Sequence, residues 1–369
     1  MTESVLSRLR LPSWTGVVPP LALLVLAATW SAKKPPVLVL VVVGVLLAAS
    51  VLAAVHHAEV VAHRVGEPFG SLVLAVAVTV IEVALIVTLM ASSPPEEAAT
   101  LARDTVFAAV MITCNGIVGV CLLLGALRTR VAAFNAEGSA TALATVATLA
   151  TLCLVLPTFT TSRPGPEFST AQLAFAAVAS LALYGLFVVV QTVRHRDDFL
   201  PVGVTEDADS DGHADPPDDR EAMNSLGLLL VALVAVVGLA KIESPAIENA
   251  VAAVGAPASA VGVVIALLVL APETLAAVRN ARRDHVQTSF NLAFGSAMAS
   301  IGLTIPAIAL ASIWLEGPLV LGLGPTQMVL LAITVVVGAL TVLPGRATLQ
   351  EGGVHLAICA AFLFLALNP

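Results

Sequence analysis

The feature that most constrains this chain is its series of long apolar runs, most of them close to the roughly 20 residues that a helix needs to cross a bilayer. Eleven such runs lie between polar or Pro/Gly breaks, over residues 16–31, 36–55, 69–91, 104–127, 139–158, 170–192, 224–242, 257–278, 288–313, 325–343 and 353–367. Lipid offers no water to backbone N–H and C=O groups. Segments this long must therefore satisfy those groups internally, as helices rather than as short barrel strands. Charge supports the same reading, with 58% of residues hydrophobic and only 11% charged, against about 25% charged in soluble domains. The expectation is an all-α polytopic membrane protein with about eleven transmembrane helices, one extra N-terminal helix plus two inverted five-helix repeats.

The net charge of −8 is not spread evenly. Ten acidic residues fall between Asp197 and Glu221, inside one polar stretch over 194–223. Poor in apolar residues and rich in Asp, Pro and Gly, that stretch reads as a flexible cytoplasmic linker. It separates a first repeat over 36–193 from a second over 224–369, with the tail and first helix over 1–35. Five spans per repeat is an odd number, so the second repeat enters the membrane inverted. With the N-terminus inside, the inner segments hold twelve of the seventeen Lys and Arg and the outer segments five. That bias favours a cytoplasmic N-terminus and linker and an external C-terminus in a multi-pass cell inner membrane protein. Arg8 and Arg10 ahead of an apolar run look like a signal peptide, but the run carries Pro19 and Pro20 and lacks a clear cleavage site, so a retained first helix is expected. Cys114, Cys121, Cys153 and Cys359 all sit within apolar runs as small hydrophobes, not as a disulfide framework or zinc site.

The two blocks share a pattern. VGEPFGSLVLAVAVTVIEVALI starts at Val65 and VGAPASAVGVVIALLVLAPETLAAV at Val254. Each opens Val-Gly-x-Pro and runs through small and β-branched residues to a lone glutamate, Glu82 in the first and Glu273 in the second. The spacing from glycine to glutamate differs by two residues. In each block the following span carries a polar residue among small ones, Asn115 in MITCNGIVGVCLLLG and Ser296 in NLAFGSAMASIGLTIP. Small residues let helices approach closely, and inverted repeats around a midplane site are a common plan for secondary transporters.

An acid inside the hydrocarbon costs several kcal/mol by insertion scales, roughly 3 for Asp. The spans offer no Lys or Arg as an evident partner for Glu82 or Glu273, so each must be protonated or bound to a cation. A site that holds either protons or a metal ion, but not neither, couples their fluxes. Further oxygens could come from Thr79, on the same helix face as Glu82, from Asn115 and Ser296, and from the Leu268 carbonyl, which Pro272 deprives of its helical N–H partner. Two carboxylates suit Ca²⁺, which takes about 6–8 oxygens. One would suffice for Na⁺ or K⁺. Structural alternatives exist for each: Asn115 and Ser296 as packing contacts, Thr79 as a back-bonding threonine, Pro272 as a kink.

Two polar clusters lie outside this set. HHAEVVAHRVGEP, residues 56–68, puts His56, Glu59 and His63 on one helix face. It reads as a solvated helix extension, with a metal- or proton-sensing role as the alternative. DADSDG at 207–212 approaches an EF-hand loop, but Asp218 stands at its twelfth position in place of Glu, so solvated linker is the expectation.

The segment HHAEVVAHRVGEPFGSLVLAVAVTVIEVALI resembles the first signature of the bacterial calcium/proton antiporters, members of the cation/calcium exchanger superfamily. LLVLAPETLAAV and NLAFGSAMASIGLTIP resemble its second repeat, and the likeness runs over nearly the whole chain. It implies a glutamate of each repeat at the ion site, by position Glu82 and Glu273, alternately binding cation and protons, with Asn115 and Ser296 at the polar positions of the adjoining helices. Wider relatives often carry Gly-Asn four and three residues before the glutamate. Val78-Thr79 and Val269-Leu270 stand there in this chain, which removes amide oxygens. Bacterial members of this type are also associated with Na⁺/H⁺ and K⁺/H⁺ exchange.

The functional expectation is therefore a secondary cation/proton antiporter, not an enzyme, moving Ca²⁺ outward in exchange for H⁺, with Na⁺/H⁺ or K⁺/H⁺ antiport next. A cation channel or uniporter and a membrane receptor or scaffold are the remaining alternatives. No cofactor is expected beyond the transported cation. The expected partners are inorganic cations, protons and the lipid bilayer, and the acidic balance argues against nucleic acid.

Overall fold

The structure is a computed structural model that describes residues 13–31, 35–66, 69–202, 217–315 and 317–369. It is almost entirely helical. In chain order the α-helices are α1 (Trp14–Thr29), α2 (Val37–Val65), α3 (Phe69–Ser92), α4 (Pro95–Met111), α5 (Val118–Thr129), α6 (Ala136–Ala150) and α7 (Thr170–Val189). They continue as α8 (Asp219–Ala253), α9 (Ala260–Val269), α10 (Ala271–Arg282), α11 (Val286–Gly302), α12 (Thr304–Ala311), α13 (Pro325–Val342) and α14 (Leu349–Leu367). Ala132–Ala133 and Arg346–Ala347 form a two-residue antiparallel ladder, β1 and β2.

Among the described residues nine helical segments are long and apolar enough to cross a membrane, or ten if α9 and α10 count as one bent span. α1, with 16 residues, is a shorter apolar helix. The segments follow the eleven expected runs, but the count of about eleven is reached only with the bent pair and the short helix included. Many apolar side chains point outward, such as Leu38, Val45, Val178 and Phe364. That is the pattern of helices solvated by lipid rather than by water.

Three departures from the sequence expectation have physical causes. The run over 224–242 is the middle of a 35-residue helix, α8. Lys241, Glu243 and Glu248 interrupt its hydropathy without interrupting its backbone, and even Pro245 lies inside it. The chain of 257–278 breaks at Leu270, where α9 and α10 meet at 54°. Pro272 stands in the first turn of α10, where its missing N–H costs nothing. The linker is not featureless at its start. Residues Arg196–Phe199 form a 3-10 turn, the Phe199 ring is buried edge-on to Phe187, and Asn291 donates to the Phe199 carbonyl at 2.7 Å. Residues 1–12, the 207–212 segment, Glu67 and Pro68 lie outside the described residues.

The chain divides into two compact units. In the first (residues to 77, and 215–243), α1 packs along α2. Gly238 of α8 leaves room for the Leu26 side chain of α1. Buried His57 ties this unit together: one ring nitrogen lies 3.0 Å from the Thr15 carbonyl and the other 3.3 Å from the Ser225 hydroxyl. His56, its neighbour, is exposed. Arg64 bridges to Asp219. The expected 56–68 cluster is thus divided, with His57 serving as an interhelical tie.

The second unit (78–214, and 244–369) contains the remaining spans. α4 continues through a π-helical stretch, Ile112–Ile117, into α5. A Cβ on Gly262 of α9 would sit 2.8 Å from the Thr105 nitrogen, so glycine allows α9 to lie on α4. Beside that contact, buried Asp104 receives Arg103 at 2.8 Å and Gln327 at 3.3 Å. All four cysteines are free and buried.

A buried carboxylate between two helices

The glycine of the repeated Val-Gly-x-Pro motif follows the end of a long helix in both places. Gly66 closes α2 with φ +76°, and Gly255 follows the end of α8 with φ +73°. Both values are left-handed and favour glycine. Each glycine ends one long helix; Glu82 lies on α3, the helix after Gly66, whereas Glu273 lies on α10, the second helix after Gly255, beyond the short α9.

Glu82 lies on α3 and is 3% exposed. Ser300 of α11 donates its hydroxyl to Glu82 Oε2 at 2.9 Å. The hydroxyl of Thr304, at the start of α12, is buried beside the same carboxyl. Oε1 is shielded from solvent and accepts no hydrogen bond. No Lys or Arg forms a salt bridge with Glu82 among the described residues. Thr79, one turn earlier, is buried too. The α3–α11 meeting is therefore a carboxylate edged by hydroxyls, with one oxygen left over.

Glu273 occupies the first turn of α10, directly after the 54° bend. Negative charge at that position is favoured by the N-terminal end of a helix. Its residue is half-buried and its Oε2 is shielded from solvent. Pro272, which has no N–H, stands four residues after Leu268, just past the bend. Leu268 itself is half-buried, two residues ahead of the break.

The two expected polar partners are found in different settings. Ser296 is half-buried on α11, one turn before Ser300. Ser296, Ser300 and Thr304 follow one another at spacings of four, but Ser300 is the residue that meets Glu82. Asn115 is fully buried in the π-helical stretch, with its amide held by Thr334 of α13 at 2.9 Å and by His355 of α14 at 3.2 Å. π-helical turns inside α-helices are frequent at functional sites. α10, which carries Glu273, packs against the same stretch. Among the described residues no group of three His, Cys, Asp or Glu is placed to hold a metal ion.

Comparison with known proteins agrees with this architecture. The chain is 44% identical to y4hA of Sinorhizobium fredii (strain NBRC 101917 / NGR234), over 97% of each protein. It is 35% identical to the sodium-potassium/proton antiporter ChaA of Escherichia coli (strain K12), over 94% of each. Its fold matches the crystal structure of the H⁺/Ca²⁺ exchanger CAX with a TM-score of 0.67 at 14% identity, covering 96% of this chain and 92% of that one. The sequence pattern of the sodium/calcium exchanger protein family matches twice, at residues 35–193 and 224–368, one stretch for each glutamate and its Val-Gly-x-Pro motif. The chain is thus a polytopic secondary transporter, not an enzyme, and it belongs to the sodium/calcium exchanger protein family.

Proposed function

We propose that the protein is a proton-coupled cation antiporter in which Glu82 and Glu273 alternately bind a cation and protons. The observation that carries this reading is Glu82. A carboxylate buried in an apolar helix, with one oxygen hydrogen-bonded and no basic partner among the described residues, is too costly to leave bare. It needs a proton or a cation, and exchanging one for the other is antiport. Ser300 and Thr304 join Thr79, Ser296, Asn115 and the Leu268 carbonyl as candidate oxygens around the two acids. The repeats over 36–193 and 224–369 would each contribute one acid, with 194–223 between them. The transporter would lie in the cell inner membrane with its N-terminus and linker in the cytoplasm.

Ca²⁺ efflux follows from the pair of carboxylates, since a divalent charge matches two acids. A second reading, Na⁺ or K⁺ for H⁺, is favoured by the similarity to ChaA over almost the full length. Inverted membrane vesicles loaded with a pH-reporting dye separate them. Addition of Ca²⁺, Na⁺ or K⁺ in turn is expected to dissipate an imposed proton gradient, and the effective ion identifies the cargo. Cation uptake with no proton movement for any of the three would instead indicate a uniporter or channel.

Ser300 offers a finer check. A hydrogen bond to a carboxylate contributes about 1.5–3 kcal/mol. Ser300→Ala is therefore expected to raise the KM for the transported cation by about tenfold or more, while Ser296→Ala has a smaller effect. Equal KM values for wild type and Ser300→Ala would reduce Ser300 to a packing residue.

A further inference from the structure

His355 is 1% exposed in the second unit, on a membrane-spanning helix. An ionisable side chain at such a place is a functional candidate by default, and antiport as described above gives it no task. Its bonding partners fix the arrangement. Thr334 gives its hydroxyl proton to the Leu330 carbonyl at 2.7 Å, so it accepts from Asn115 Nδ2 at 2.9 Å. That turns Asn115 Oδ1 toward His355 Nδ1, 3.2 Å away. Nδ1 must then carry the ring proton, and Nε2 accepts from the Thr341 hydroxyl at 3.1 Å. The whole chain of bonds is satisfied with a neutral imidazole.

The consequence falls on Asn115. Its amide oxygen is the only atom of that side chain able to bind a cation, and a ring N–H points at it. A cation approaching Oδ1 meets the positive end of that N–H dipole. The helix that carries the ring is held close. One turn earlier on α14, Gly352 lies so close to α5 that an added Cβ would stand 2.8 Å from the Leu123 nitrogen. On the facing helix a Cβ on Gly119 would stand 3.0 Å from the Leu356 nitrogen. Backbone contact thus holds this turn of α14 against α5, which continues the π-helical stretch.

We propose that His355 is a positioning residue that withholds the Asn115 amide oxygen from the cation. Asn115 joins the coordination shell only when the His355 N–H releases it. This rests on the antiport reading and on Asn115 as a ligand in it.

The test is a double-mutant cycle read as KM and turnover of cation/proton exchange in vesicles. His355→Leu removes the donor at similar volume. It is expected to lower the cation KM about fivefold, the size of one neutral hydrogen bond, and to slow turnover because the cation is released less readily. His355→Gln, which keeps an N–H donor, should return KM toward wild type. In an Asn115→Ala background His355→Leu should leave KM unchanged, because its effect runs through the missing amide. If His355→Leu does not yield folded protein, His355→Asn, too short to reach Asn115, takes its place in the cycle. A KM that stays level or rises in the single variant, or that shifts equally in the Asn115→Ala background, overturns the proposal. If Glu82→Gln abolishes exchange while Asn115→Ala leaves KM untouched, antiport stands and the His355 proposal falls. If Glu82→Gln keeps full exchange, the antiport reading fails first and the proposal with it.

Discussion

Glu82→Gln is expected to abolish cation-dependent proton movement while the protein still folds. Glutamine has nearly the shape of glutamate and can still accept the Ser300 hydroxyl, which lies 2.9 Å from Oε2, so packing between α3 and α11 should survive. What disappears is the charge that a cation must neutralise and the atom that a proton must occupy. Placing one unpaired charge at mid-bilayer costs on the order of 3 kcal/mol even on the most lenient scale. Losing the carboxylate should therefore reduce exchange on the order of 100-fold or more. Proton flux in inverted vesicles is the measurement, with thermal stability in detergent as the control for folding. Glu82→Asp separates charge from geometry: it keeps the acid but shortens its reach, so weak exchange with a raised KM is expected. A Glu82→Gln protein that exchanges at the wild-type rate would remove Glu82 from the mechanism.

The same substitution distinguishes the rival readings. A uniporter would lose cation flux in Glu82→Gln but never couple it to pH in either protein. A receptor or scaffold would be indifferent to it. Glu273→Gln should match Glu82→Gln in kind, because both acids follow the same glycine turn in their repeats. It need not match in degree. Glu82 sits mid-helix on α3, whereas Glu273 opens a helix after a bend, where the helix end already favours its charge.

Much of this was legible in the residues. The spans could be read because each helix must be apolar for the length of a bilayer, and nearly every expected run has a helix over it. The two glutamates stand out in the sequence because an acid in such a run has few reasons to be there. What could not be read was depth. Ser296, Ser300 and Thr304 share one face at spacings of four, so the pattern alone cannot say which meets Glu82. Only the register of α11 against α3 selects Ser300. The length of α8 was hidden for a related reason. Lys241, Glu243 and Glu248 lower hydropathy, but Glu248 accepts hydrogen bonds from Ser93 at 2.5 Å and Ser244 at 3.2 Å, which a linear reading does not see. His355 escaped notice because its partner Asn115 is 240 residues away and its span looked short. The bend at Leu270 was closer to the surface of the sequence, since Pro272 marks it directly.

Adjacent glycines on α14 should respond oppositely to the same change. A Cβ on Gly352 would stand 2.8 Å from the Leu123 nitrogen and 3.1 Å from the Gly119 carbonyl oxygen. Both atoms are backbone, so no side chain can rotate aside, and α14 must move off α5. Overpacking of this kind costs about 1–3 kcal/mol. Gly352→Ala should therefore unfold at lower temperature, and Gly352→Val, with two further carbons, at lower temperature still. A Cβ on Gly353 meets nothing within 4 Å, so Gly353→Ala should be neutral or stabilising by up to about 1 kcal/mol, the helix propensity difference between the two residues. Function should divide in the same way. His355 lies three residues beyond Gly352 and bonds Asn115 across the α5–α14 contact. Displacing α14 by even a few tenths of an ångström stretches that 3.2 Å bond, so Gly352→Ala should alter cation KM where Gly353→Ala does not. Thermal unfolding of the two purified variants, with exchange assays on the same preparations, checks both halves. Equal stability of Gly352→Ala and Gly353→Ala would mean that α5 and α14 do not touch through their backbones, and the setting described for His355 would go with it.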